Sequence, residues 1–299
     1  AMGEARDPAA DDSRPTVSFE FFPPRSERAR EELDKTARRL AALGPEFMTV
    51  TYGAGGSTTD PTLQAVLHIE RSIGVPAASH LTYVSTPIWQ VASYAQSLCD
   101  NGISRVVALR GDPPAGRPPD RYGGAGFFHS TPAFIASLKT VWKFDISVAA
   151  YPETHPDTPN PEGEIEMLAR KADAGANRAI TQFFFDNSLY YRFLDAADLA
   201  GVDIPIVPGI LPVLDFHKML GFAARCGATI PAAMQARFGA IAQADARKVG
   251  EDFLLEQIDD LKRHGVRHFH IFTLNEAGTS EHACRDLGLG RPGARAAAA

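Results

Sequence analysis

A chain of 299 residues, 44% hydrophobic and 22% charged, has the composition of an ordinary globular protein. Its net charge is −6 with both signs interspersed and no basic stripe, which argues against nucleic acid as a partner. No apolar run approaches the roughly 20 residues that a membrane span needs, and the polar first residues hold no signal core. Residues 1–15 are expected to be a flexible arm and 292–299 a disordered tail, leaving 16–291 as one catalytic domain. Cys99, Cys226 and Cys284 are an odd number without metal-motif spacing, which implies a reducing, cytoplasmic compartment and no metal site.

The first strand follows the arm. Val17, Phe19 and Phe21 alternate with Ser18 and Glu20, and Pro23-Pro24 stops the ladder because neither residue donates a hydrogen bond. Glu20 therefore stands at the carboxyl end of an apolar strand. Two readings compete there: a partly exposed strand-end carboxylate, or a general acid whose pKa is lifted by burial beside Phe19 and Phe21. Leu33, Ala37 and Leu40 then share a helical face that Gly44-Pro45 ends. Residues 47–52 are the second strand, and Asp60-Pro61 caps the next helix. Residues 77–83, with His80 and Thr82, are the third strand; Thr86-Pro87 opens the third helix. Residues 105–109 form the fourth strand, followed by Arg110-Gly111-Asp112 and a Pro/Gly-rich loop over 113–126.

Thr131-Pro132 starts the fourth helix, residues 145–151 form the fifth strand, and Ile165, Leu168 and Ala172 mark the fifth helix. Residues 178–184 and 204–209 read as strands six and seven. The seventh helix spans about 215–226, and a helical piece near 231–241 is an insertion before the long helix that carries Phe253, Ile258 and Leu261. Residues 268–273 are the eighth strand, with a last helical stretch over 280–287. Strands alternating with helices predict an α/β fold with a parallel sheet, and eight units of about 30 residues predict a closed (β/α)₈ TIM barrel with a short extra helical insertion before the last strand. An open doubly wound sheet is the alternative; the missing Gly-x-Gly-x-x-Gly after any strand weakens it.

A barrel of this kind places its active site at the carboxyl ends of its strands. The polar residues there are Glu20, Thr51, His80, Thr82, Asp112, Tyr151, His155, Gln182 and Asn275. Each has a plainer reading: Thr51 as a core hydroxyl bonded to backbone, Asp112 as a turn residue before Pro113. His268 and His270 share a face of the last strand, but no third ligand is evident, so they read as satisfied structural histidines. Arg170 and Lys171 read as a dipole-favoured pair at a helix end or as partners for a diphosphate.

Eight stretches, in order from about residue 17 to 291, resemble the methylenetetrahydrofolate reductase family. They are Phe19-Glu20-Phe21-Phe22-Pro23-Pro24, Val50-Thr51-Tyr52-Gly53-Ala54-Gly55-Gly56, Ala108-Leu109-Arg110-Gly111-Asp112, Ala150-Tyr151-Pro152-Glu153-x-His155, Asp173-Ala174-Gly175-Ala176, Ile180-Thr181-Gln182-Phe183-Phe184-Phe185-Asp186, Pro208-Gly209-Ile210-Leu211-Pro212 and Phe272-Thr273-Leu274-Asn275. The resemblance is to the short bacterial form. It implies an FAD enzyme of one-carbon and methionine metabolism that reduces 5,10-methylenetetrahydrofolate to 5-methyltetrahydrofolate with NADH, NADPH being the other reductant, by ping-pong hydride transfer. It leaves a homo-oligomer open. It implies flavin contacts at Thr51, His80, Leu109, Arg110, Gly111, Asp112, Ala149, Tyr151, His155, Arg170 and Lys171, with Glu164 where the family often has Asp toward a ribose hydroxyl. Folate would meet Glu20, Asp112, Gln182 and Phe222, with Glu20 and Asp112 catalytic. Lys218 stands where a Gln often meets the folate tail, and Glu276 where an Arg is found. Two other readings compete: a barrel glycoside hydrolase using Glu20 and Asp112, and a flavin- or folate-binding protein without turnover.

Overall fold

In the computed structural model, which describes residues 14–52, 61–112, 124–242 and 245–291, the first strand lies between the second and the last. The parallel strands are β1 (Thr16–Phe21), β2 (Met48–Val50), β3 (Ala77–Thr82), β4 (Arg105–Leu109), β5 (Asp145–Ala150), β6 (Arg178–Thr181), β7 (Ile206–Val207), β8 (Gly209–Ile210) and β9 (His268–Phe272). They follow the order β7-β6-β5-β4-β3-β2-β1-β9-β8. The seventh expected strand is thus two short segments. Pro208 separates them because it has no N–H to give the ladder; β7 pairs with β6 and β8 with β9. The Pro208 carbonyl still accepts from His270 N at 3.0 Å, so the same stretch closes the barrel from both sides. Pairing in β6 stops at Thr181 rather than running on to residue 184.

The helices are α1 (Glu27–Ala41), α2 (Pro61–His68), α3 (Ile88–Asp100), α4 (Thr131–Val141), α5 (Pro161–Asp173), α6 (Asn187–Leu199), α7 (Phe216–Cys226), α8 (Ala232–Gly239), α9 (Ala246–Arg263) and α10 (Gly278–Asp286). Their starts follow from capping chemistry. Ser26, Ser130, Asn160, Asp186 and Asp215 each accept a backbone N–H of the first turn. The expected insertion is α8, ahead of α9 and the last strand. The expected cap at Asp60, the turn over 53–56 and most of the loop over 113–126 lie outside the described residues, as do the tail and nearly all of the arm.

Strand periodicity divides the core. Val17, Phe19 and Phe21 point outward and join the main hydrophobic cluster with Leu33, Ala37 and Leu40 of α1. Thr16, Ser18 and Glu20 point into the barrel, in register with His268, His270 and Phe272 of β9. Thr49 of β2 is in register with Glu20 on the other side. A second cluster, holding Phe183, Phe185, Leu211 and Met219, packs α7 and α8 over one side of the mouth.

Candidate active site

A cavity of about 730 Å³ opens at the carboxyl ends of the strands. Glu20 stands in its floor. Its Oε2 lies 3.1 Å from Thr49 Oγ1, 3.1 Å from His80 Nε2 and 3.2 Å from His270 Nε2. A carboxylate only accepts, so both imidazoles carry their proton on Nε2. Among the described residues Oε1 takes no hydrogen bond. Burial alone pushes this carboxyl up, but the His80 and His270 rings that donate to it outweigh that and hold Glu20 below the ordinary carboxylate range. The expected lifted pKa is therefore corrected. Phe19 and Phe21 face the helices, not the carboxyl, and the groups that do face it stabilise its charge.

One wall carries the residues assigned to the flavin. Leu109, Arg110, Gly111, Asp112, Tyr151 and His155 line the cavity together with Thr51 and His80. Arg110 Nη2 donates to Asp157 Oδ2 at 2.6 Å, and the His155 N–H donates to Glu164 Oε1 at 2.7 Å. Tyr151 meets His155 edge-on with ring centroids 4.8 Å apart. Burial and the Glu164 charge push the Tyr151 hydroxyl up to about 12. Burial and the Arg110 charge push the His155 imidazole down. Ala149 sits beneath, its carbonyl taken by Lys171 Nζ at 2.9 Å. Glu164, Leu168 and Lys171 share the buried face of α5. Arg170 is one residue, about 100° of helical rotation, out of that phase; it is exposed at the end of α5 and does not line the cavity.

The opposite wall is aromatic. Phe222 of α7 stacks on Phe183 with centroids 5.3 Å apart and an interplanar angle of 14°. Both line the cavity with Gln182 and Phe272. Lys218 does not line it: the side chain is 86% exposed and pairs with Asp215, the cap of its own helix. Glu276 accepts from Gly278 N and Thr279 N and pairs with Arg247, so it works as a cap for α10.

Four non-glycine residues among those described have left-handed backbones: Ser85, Thr154, Leu274 and Asn275. All lie in loops after β3, β5 and β9, at the mouth, where backbone strain of this kind collects at functional sites. Ser85 also lines the cavity, and its buried Oγ has no hydrogen-bond partner among the described residues. Residue reasoning passed over Ser85, Thr49 and Phe183, and read His270 as structural. The signal for His270 was its place in the inward-facing row of the last strand.

A parallel barrel with a buried carboxylate held by two imidazoles at its mouth defines a barrel of the enzyme kind, with acid–base groups at one pole. The family model for methylenetetrahydrofolate reductase matches residues 6–288, and the chain belongs to that family. It is 42% identical over 280 residues to the 5,10-methylenetetrahydrofolate reductase of Salmonella typhimurium, covering 93% of this chain and 92% of that one. Identity to the enzyme of the same name from Escherichia coli is 43% with the same coverage. A relative from Arabidopsis thaliana, methylenetetrahydrofolate reductase (NADH) 1, is 34% identical, and the match spans 48% of its length. Among solved structures, a Clostridium thermocellum protein that binds two copies of 5-methyl-5,6,7,8-tetrahydrofolic acid superposes with a TM-score of 0.61 at 13% identity, over 92% of this chain and 95% of that one. That likeness is one of fold. Among the described residues no helix is long and apolar enough to cross a membrane.

Proposed function

We propose that this chain reduces 5,10-methylenetetrahydrofolate to 5-methyltetrahydrofolate, using FAD at the barrel mouth and NADH as the reductant. The observation that carries the reading is the Glu20–His80–His270 cluster under a cavity with one polar wall and one aromatic wall. The family match is to a reductase, and neither the glycosidase nor the non-catalytic carrier gains an observation here.

The cavity fits a flavin dinucleotide. It offers an orphaned Ser85 hydroxyl, a close turn at Gly111 and a buried cation, Lys171, behind Ala149. Arg110, Gly111, Asp112, Tyr151 and His155 would hold the group, with Glu164 and Lys171 behind them. When bound, FAD supplies a two-electron acceptor that passes a hydride from one substrate to the other. Phe222, stacked on Phe183, presents a flat apolar plate on which a nicotinamide or a pterin packs, one after the other.

Reduction of the methylene bridge needs the ring that holds it to open, and the leaving nitrogen must take a proton. Glu20 is the acid that faces it. Its proton reaches Oε2 from Nε2 of His270, whose Nδ1 takes up another from Ser18 Oγ. Asp112, at the cavity edge, places a negative charge where the opened substrate carries a positive one. NADH oxidation needs no such proton, so the cluster acts in the folate half alone.

The experiment is the visible spectrum of the purified protein. The reading expects a yellow protein, or one that takes up FAD, bleached by anaerobic NADH and recoloured by methylenetetrahydrofolate. A colourless protein that takes up no FAD sinks it.

A further inference from the structure

Below Glu20 the inward-facing row of β1 and β9 is polar to the far pole of the barrel. His270 Nδ1 lies 2.7 Å from Ser18 Oγ, and Ser18 Oγ lies 2.9 Å from His268 Nε2. Ser18 and His270 are fully buried, whereas His268, at the first residue of β9, is partly exposed. Around His268 sit Phe47, tilted against His268 and stacked on His270, and the partly exposed Arg105 and Arg178, both paired with Asp145. A barrel interior packs best with apolar side chains. Here a continuous hydrogen-bonded file occupies it instead.

We propose that His268, Ser18 and His270 form a proton relay that supplies Glu20 from the amino-end pole of the barrel, opposite the mouth. The proposal rests on the reading of Glu20 as the acid of the folate half-reaction. Glu20 stands in the floor of the cavity, so ligands held in the mouth come between it and solvent on that side. The file below is the route the described residues offer away from the mouth.

Hydrogen-bond logic fixes the starting arrangement. His270 donates from Nε2 to Glu20, so its Nδ1 accepts from the Ser18 hydroxyl. Ser18 in turn accepts from Nε2–H of His268, which leaves the His268 Nδ1 unprotonated. The transfer is balanced. His268 gives its Nε2 proton to Ser18 Oγ while its Nδ1 takes one from solvent. Ser18 gives its own proton to His270 Nδ1, and His270 gives its Nε2 proton to Glu20 Oε2. One proton enters, one carboxylate becomes a carboxylic acid, and each imidazole ends as its other neutral tautomer. Burial and the nearby Arg178 and Arg105 guanidiniums push His268 down to about 3, so it relays as a neutral ring rather than holding the proton as a cation.

The test uses the FAD-loaded protein and two substitutions. Ser18→Ala removes the link between the rings. His268→Gln keeps an N–H donor toward Ser18 but cannot pass a proton through. Both should leave flavin reduction by NADH and the KM for methylenetetrahydrofolate near wild type. Both should slow flavin reoxidation by methylenetetrahydrofolate at least about tenfold, and by no more than the roughly 10²–10⁴-fold that a general acid contributes. The solvent deuterium effect on that step should rise, because proton supply becomes limiting. Without turnover, ¹⁵N spectra of histidine-labelled protein should show the His270 Nε2 proton exchanging more slowly in Ser18→Ala. Wild-type reoxidation rates, solvent effect and exchange in both variants would overturn the relay. Failure of the wild type itself to reduce methylenetetrahydrofolate would overturn the functional reading beneath it.

Discussion

Lys171 Nζ donates to the carbonyl of Ala149 at 2.9 Å, and among the described residues no carboxylate stands within ion-pair distance of this buried amine. Burial lowers its pKa to about 8, with the Glu164 charge working the other way. The folded value lies below the roughly 10.4 of an unfolded lysine. Between these values the unfolded chain holds a proton that the folded chain lacks, so stability rises with pH across that window. A diphosphate placed beside Lys171 restores its charge, so binding FAD near pH 8.5 should take up protons. Titration calorimetry in buffers of different ionisation enthalpy reads that number directly. Lys171→Met should abolish the uptake, weaken FAD binding and remove the alkaline gain in stability. No uptake by the wild type would place the diphosphate elsewhere.

Gly111 sets the approach of the β4 loop to β3. Its φ is +85°, and a Cβ there would stand 2.9 Å from Thr82 Cβ and 3.0 Å from Val84 Cγ1. Tyr83 and Val84 both donate their backbone N–H to Arg110 O, so the loops cannot part easily. Gly111→Ala should cost about 1–3 kcal/mol and weaken FAD binding as Arg110 and Asp112 shift. Thermal melts and a flavin titration check the two effects separately. A lower melting point with unchanged FAD affinity would make Gly111 a packing residue only.

The barrel was legible because each βα unit repeats the same punctuation of cap, apolar face, glycine and strand. Position at a strand end was likewise enough to single out Glu20. Its ionisation was not legible. The two imidazoles that decide it are 60 and 250 residues away in sequence, and only closure of the barrel brings both to one oxygen. The aromatic neighbours that suggested a lifted pKa face outward by strand alternation. Arg170 and Lys171 show a similar limit in a helix: neighbours in sequence diverge by about 100°, and only the buried face of α5 says which one turns inward. Pro208 was visible, but that a single proline divides one barrel strand between two partners follows from the closed sheet.

Lys218 tests the reach of the family resemblance. An 86% exposed amine paired with its own helix cap has little hold on a ligand in the mouth. Lys218→Ala should weaken folate binding by no more than about fivefold, the scale of an exposed pair of up to about 1 kcal/mol. Raising the salt should erase the difference. NADH oxidation should not change. Folate and NADH affected alike would show that Lys218 shapes the mouth rather than meeting a carboxylate of the folate tail.

Glu20 is where the two half-reactions separate. Glu20→Gln keeps the size of the side chain and an oxygen for Thr49, but cannot carry a proton to a leaving nitrogen. It also removes a charge that His80 and His270 stabilise. A carboxyl held below its ordinary value adds stability that is fully present above about pH 4.3 and is lost only as pH falls through the folded value. At neutral pH the variant should therefore be less stable than the wild type, and the gap should close in strong acid. Catalysis should split more sharply. Flavin reduction by NADH should stay near wild type, and reoxidation by methylenetetrahydrofolate should fall by roughly 10²–10⁴-fold. Stopped-flow absorbance at the flavin band measures both halves on one sample. Equal loss in both halves would point to damage at the flavin. Wild-type reoxidation would leave Glu20 a structural carboxylate that holds two histidines in place.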